Sequence, residues 1–251
     1  MKYFLFIFKH FWFTFFSYLC FPMECELCKK AAYFMPICPD CEKRLISEKI
    51  ENRCQSCGKE LFFEKDLCIK CRNDDIRLQG FLSVYPRYSY VLQKKRLLYL
   101  WKVANNRSFV FFFAKSIFRV LQDKYQNIPV VPVPPRPNKI RDKGWDQIED
   151  LVFILENKYK VKVLRILERV TETQQKKLSK DERFSESKNS YLAKNPIPEN
   201  LPEEVILIDD VITTGATMNS CREILTSLGI TTAPVDDAYS GQGPAHHRPR
   251  P

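Results

Sequence analysis

Val205-Ile206-Leu207-Ile208-Asp209-Asp210-Val211-Ile212-Thr213-Thr214-Gly215-Ala216-Thr217 decides how this chain folds. The first four residues are an unbroken aliphatic run, the composition of a strand buried on both faces of a parallel sheet. Two carboxylates follow at its carboxyl end, where open α/β sheets bind ligands. The turn from Thr213 to Thr217 leads into a helix with the apolar face Met218, Cys221, Leu225 and Leu228, stopped by Gly229. That turn offers backbone N–H groups, a helix N-terminus and three hydroxyls, a set that cradles a phosphate. Gly215 lets the backbone approach it closely. Carboxylates beside a phosphate repel the ligand unless they take sugar hydroxyls or a divalent ion carried by the ligand. A sugar phosphate with neighbouring free hydroxyls meets both demands. A capped helix start alone would need one Asp or Thr, not all of them.

Upstream, strand and helix patterns alternate. Ile128 to Val133 is a short β-branched run ended by prolines. Ile148, Leu151, Val152 and Leu155 form one helical stripe between Trp145 and Lys158. Residues 161–166 predict another strand, and the polar 171–200 stretch predicts a long mobile loop. Strand–helix alternation implies a parallel α/β sheet. Residues 236–251 have almost nothing to bury and predict a disordered tail.

The amino-terminal third obeys different rules. Eight of the ten cysteines fall in four Cys-x-x-Cys pairs: Cys25/Cys28, Cys38/Cys41, Cys54/Cys57 and Cys68/Cys71. Each such turn points two thiolates at one metal, and two turns close a tetrahedral zinc site. A disulfide framework would not produce four identical spacings, and a redox motif needs only one. Two structural Zn²⁺ ions are therefore expected. Pairing of adjacent turns is the simpler arrangement, with interleaved pairing left open. So short a module with few large apolar side chains needs metal for stability. Cys221 reads as a small core residue. The apolar residues 3–21 predict a helix lying on the zinc module or another surface, with membrane association the alternative. Lys9 and His10 interrupt the run, and thiolate ligands directly after it favour a reducing, cytoplasmic compartment.

With 251 residues, 45% hydrophobic and 13% aromatic, the chain is neither disordered nor, with seven glycines, collagen-like. Forty Lys and Arg against thirty Asp and Glu suggest a polyanionic partner. From Pro86 to Arg119 there are eight cations (Arg87, Lys94, Lys95, Arg96, Lys102, Arg107, Lys115 and Arg119) and no acid. Tyr90, Tyr99, Trp101 and Phe109 lie among them. Cations and rings together suit a single-stranded DNA groove. Helical spacing offers the rival account, a core face of Leu97, Leu98, Leu100 and Phe111 to Phe113.

The Asp209-Asp210-Val-Ile-Thr-Thr-Gly-Ala-Thr stretch closely resembles the phosphoribosyl-diphosphate motif of type I phosphoribosyltransferases. With the four cysteine pairs after Phe21-Pro22, the chain resembles the ComF family, linked to DNA uptake in natural transformation. Val131-Pro132-Val133-Pro134 resembles that family's pyrophosphate-loop strand. Lys143-Gly144-Trp145-Asp146-Gln147 resembles its Arg-Gly-Phe-Asn-Gln, with Lys for Arg and Asp for Asn. Gln175 to Leu178 with Arg183 resembles its Gln-x-x-Leu and following Arg. The resemblance implies a type I phosphoribosyltransferase-like parallel sheet with helices on both faces over 81–235. A double zinc ribbon over 23–75 would precede it, an apolar segment over 1–22 would lead, and a tail over 236–251 would end the chain. It further implies phosphoribosyl diphosphate with Mg²⁺ as ligand, and transfer of the phosphoribosyl group to an unidentified acceptor. Thr213, Thr214, Gly215, Ala216 and Thr217 would hold the 5-phosphate, and Asp209 and Asp210 the ribose hydroxyls. Lys143 and residues 134–137 would bound the pyrophosphate, with Lys176, Lys177 and Arg183 closing over it. Competence or helicase proteins would be partners. A non-catalytic DNA-binding protein and a zinc-ribbon adaptor are the alternative readings.

Overall fold

The computed structural model describes residues 23–32, 35–47, 50, 52–74, 78, 84–87, 92–171 and 190–232. The 1–22 segment, Tyr88, Tyr90, Gln175 to Leu178, Arg183 and the 236–251 tail lie outside the described residues. Among those described, no helix is long and apolar enough to cross a membrane.

A parallel sheet forms the centre. Strand β6 (Glu204–Ile208) lies between β3 (Val130–Pro132) and β7 (Thr231–Thr232), with Val130 opposite Ile206 and Val205 opposite Thr232. The predicted 161–166 strand shrinks to one bridge, Val163 against Val130. Val130 accepts from Leu164 and donates to Lys162. The next residue facing that edge is Pro132, which has no N–H to extend the ladder. The chain instead pairs two short strands, β4 (Leu167–Arg169) and β5 (Tyr191–Ala193), in antiparallel fashion. This corrects the 171–200 loop: Ser190 and Tyr191 are buried, and the Thr171 and Ser190 hydroxyls lie 2.9 Å apart.

Helices cover both faces, and alternation along β3 sends Val130 to one core and Val131 to the other. Helices α3 (Leu92–Lys102), α4 (Phe109–Lys124) and α6 (Gln147–Tyr159) build the first. The stripe Phe109, Phe112, Phe113, Ser116 and Leu121 turns one face of α4 inward, and Trp101 of α3 stacks on Phe113 at 4.6 Å. The rings of the basic segment are thus largely core, as helical spacing predicts. On the other face, α7 (Ala216–Ser227) packs Met218, Cys221 and Leu225 against the sheet, and Gly229 at φ +77° terminates it.

The cysteine pairs form two similar knuckles. Cys25 N–H donates to Lys30 O at 2.8 Å, and Cys54 N–H to Lys59 O at 2.8 Å. Lys29 and Gly58 follow the second cysteine of each turn with φ of +62° and +65°. The first knuckle carries β1 (Met23–Glu24) paired with β2 (Ala31–Ala32) and continues into α1 (Pro39–Ser47). The second ends in α2 (Ile69–Arg72). Each shares a core with the sheet domain: Leu45 and Ile46 join the α3–α4–α6 side, Cys54, Cys57 and Leu61 the α7 side.

Candidate functional site

Sulfur positions decide the metal question first. Cys25, Cys28, Cys38 and Cys41 form one group, and Cys54, Cys57, Cys68 and Cys71 the other, all ligand atoms of a group within 4.8 Å of one another. Adjacent turns therefore pair. Cys28 and Cys38 sulfurs are 3.6 Å apart, and those of Cys57 and Cys68 3.7 Å. A tetrahedron with Zn–S of about 2.3 Å has edges of about 3.8 Å, so the spacing fits zinc. Burial disfavours a thiolate at Cys25, but N–H groups of Cys38, Cys28 and Leu27 outweigh it and bring the thiol down to about 6. At Cys54, N–H groups of Cys57, Cys68 and Ser56 likewise overcome burial, to about 7. Burial pushes Cys41 up to about 12 and Cys71 up to about 11. Four thiolates cannot share so small a volume without a cation, and these groups can hold zinc.

The second site lies at the carboxyl end of β6. Its cavity of about 590 Å³ is lined by Asp209, Asp210 and residues 211–218, by 133–136 after β3, and by Lys139, Lys143 and Asp146 to Ile148. The structure thus brings together Asp209, Asp210, Thr213 to Thr217, Lys143 and residues 134–136 of the expected sugar-phosphate site, while Pro137 is not among the lining residues. Gly215, at φ +83°, stands at the N-cap of α7 without a side chain to cap it, and the Thr214 hydroxyl accepts from Ala216 N–H at 3.4 Å. The start of α7 accordingly faces the cavity with its backbone exposed to a ligand. Asp209 accepts from the Asp210 N–H at 2.7 Å. Burial and the Asp210 charge push its carboxyl up to about 7, against the pull of that N–H and of Lys102.

Lys102, at the last residue of α3, sits 2.5 Å from Asp210. Its backbone carbonyl accepts from Gln147 Nε2 at 3.2 Å and Lys143 Nζ at 3.4 Å. Lys143 lies over the Trp145 ring at 4.7 Å. Asp146, the carboxylate in place of Asn, caps α6 by accepting from Ile148 N–H at 2.9 Å and Glu149 N–H at 3.1 Å. Lys139, on the one-turn helix α5 (Lys139–Lys143), pairs with it and donates to Gln147 at 2.9 Å. Its charge is thereby neutralised before any ligand arrives.

Arg169 and Tyr191, from the β4–β5 ladder, also line the cavity. Tyr191 is pushed up to about 12, chiefly by burial, and Arg169 lies over its ring at 5.6 Å. Sequence reasoning missed both residues and Lys102. An Arg ending a short strand and a lone Tyr in a polar stretch were the available signals. Five cations (Lys102, Arg136, Lys139, Lys143 and Arg169) and three carboxylates (Asp146, Asp209 and Asp210) line the cavity, so an anion completes the charge balance.

The acid-free segment finds its acids elsewhere in the fold. Arg96 pairs with Glu26 at 3.0 Å, Lys115 with Glu42 at 2.6 Å, and Arg107 grips Asp150 with two bonds of 2.8 Å. Arg87 donates to Ser116 at 2.7 Å and to the Ile46 carbonyl at 2.5 Å, tying α1 to α4.

A parallel α/β sheet flanked by helices, fronted by two four-cysteine groups, is the class these features define. No family model matches the chain. It is 26% identical over 196 residues to Competence protein ComFC of Streptococcus pneumoniae, covering 77% of this chain and 82% of that protein. It is also 26% identical over 205 residues to Competence protein F of Haemophilus influenzae, covering 77% and 86%. The ComF resemblance carried by the motifs is borne out, and the chain is a relative of these competence proteins.

Proposed function

We propose that the chain binds phosphoribosyl diphosphate with Mg²⁺ at the β6 site and acts as a cytoplasmic ComF-type protein in DNA uptake. One observation carries this reading. A central parallel strand delivers Asp209 and Asp210 directly beside the Gly215 turn, in a cavity with a cationic surplus. Thr213 to Thr217 receive the 5-phosphate through the start of α7, and the two carboxylates accept the ribose hydroxyls. Arg136, Lys139 and Lys143 face the diphosphate. Mg²⁺ bound to the diphosphate supplies charge neutralisation for the leaving group. The chain's residues hold the sugar and orient its anomeric carbon toward an acceptor, the positioning that phosphoribosyl transfer requires.

Calorimetric titration of phosphoribosyl diphosphate, with and without Mg²⁺, tests the reading. Binding is expected in the zinc-loaded chain and lost in the folded Asp209→Asn, Asp210→Asn double variant. Absence of binding to the wild-type chain refutes it. Single-stranded DNA binding is supported by less, since Trp101 is only 2% exposed and most of the cations have partners within the fold. Tyr99, 53% exposed on the same helix as Lys94 and Lys95, is the residue that favours it. Phe62 and Phe63, exposed on the second knuckle, favour the adaptor reading.

A further inference from the structure

Lys102 already makes the closest polar contact to either ligand-facing carboxylate among the described residues, and nothing in the sugar-phosphate reading uses it. Its main chain is fixed from outside: Gln147 and Lys143 both donate to its carbonyl, which closes the last turn of α3. Its side chain is 30% exposed, and its ammonium lies against the Asp210 oxygen that a ribose hydroxyl would approach. The ammonium and a sugar therefore compete for one carboxylate. A lysine ammonium is a compact charge on a flexible stem, so displacement frees it to meet another anion.

The 5-phosphate has its own place at the start of α7, on the far side of the carboxylates in sequence. Lys102 is tied instead to Lys143 and Gln147, and Gln147 to Lys139, cavity-lining residues like those of the 134–136 turn. We infer that Lys102 is a specificity-determining residue: it closes the carboxylate pair in the ligand-free site and moves to the diphosphate when a sugar displaces it. The inference rests on the sugar-phosphate reading and goes further, because it makes the site discriminate by charge. A sugar phosphate without the diphosphate must break the ion pair and leave the ammonium uncompensated. A phosphoribosyl diphosphate breaks it and replaces it with a charge-assisted contact.

The two effects have opposite signs, and that is the test. Ribose 5-phosphate, inorganic pyrophosphate and phosphoribosyl diphosphate, each with Mg²⁺, are titrated calorimetrically into zinc-loaded wild-type, Lys102→Met and Lys102→Arg proteins. Lys102→Met should bind ribose 5-phosphate roughly two- to fivefold more tightly, the ion-pair competition being gone. The same variant should bind phosphoribosyl diphosphate roughly tenfold more weakly, and pyrophosphate, which brings no sugar to displace the ammonium, with little change. Lys102→Arg should keep most of the diphosphate affinity. Equal weakening of all three ligands by Lys102→Met makes the residue merely structural and overturns the inference, as does no change in any. If the wild-type chain binds neither ribose 5-phosphate nor phosphoribosyl diphosphate, the sugar-phosphate reading itself falls, and the inference falls with it.

Discussion

Replacing Asp209 by Asn should make the protein more stable. Burial and the neighbouring Asp210 charge raise the Asp209 carboxyl from the ordinary 3.8 to about 7. In the folded chain this group holds a proton that the unfolded chain has already released between those pH values, so it erodes stability as pH rises. Neutral Asn does not titrate, and its side-chain oxygen can still accept the Asp210 N–H. At about 1.36 kcal/mol per tenfold, its advantage should be about 2 kcal/mol at pH 5.5 and about 4 kcal/mol by pH 7.5, and level above that. Urea unfolding of the zinc-loaded protein, followed by tryptophan fluorescence at pH 5.5, 6.5, 7.5 and 8.5, measures the difference. A variant less stable than wild type, or a gain that does not vary with pH, would show that Asp209 is not held against its ionisation. The carboxyl at the end of β6 would then not be held at a cost to the fold.

Metal analysis of protein purified under reducing conditions should give two zinc ions per chain, and Cys57→Ser should lower the count toward one. Gly58→Ala should release the second knuckle, because its new Cβ would lie 1.8 Å from the Val84 carbonyl oxygen at a φ of +65°. We expect a loss well above about 1 kcal/mol and rapid protease cleavage between residues 50 and 75. Asp146→Ala should cost about 1–2 kcal/mol through the lost α6 cap, while Asp146→Asn keeps the cap and should cost less in the same denaturation assay.

The features legible in the sequence were those whose signal is local. An aliphatic run, two carboxylates and Gly215 lie within eleven residues, and each cysteine pair announces itself in four. Loop length made adjacent pairing the simpler arrangement, and only the sulfur positions decided against interleaving. The contacts that complete the site span the chain instead. Lys102 and Asp210 are over a hundred residues apart, and no periodicity links them. Arg96 with Glu26 and Lys115 with Glu42, 70 and 73 residues apart, are equally beyond any local pattern, so an internally balanced helix pair could be mistaken for a polyanion groove. Strand β5 was hidden because a three-residue antiparallel ladder is too short to impose alternation on a polar stretch. Asp146 stands where the resembled motif has Asn, and its cap bonds and Lys139, none of them readable from the motif, account for the carboxylate.

Each cysteine knuckle belongs to a different one of the two cores that clasp the sheet. Zinc occupancy and folding of the sheet are therefore linked equilibria: metal held by a knuckle is free energy available to the strands it packs against. The first knuckle reaches the α3 helix that ends at Lys102, and the second reaches the α7 helix that begins at the phosphate turn. Removing either metal should loosen a different wall of the same cavity. Partial loss of zinc should therefore show first as a loosened cavity wall and only later as unfolding.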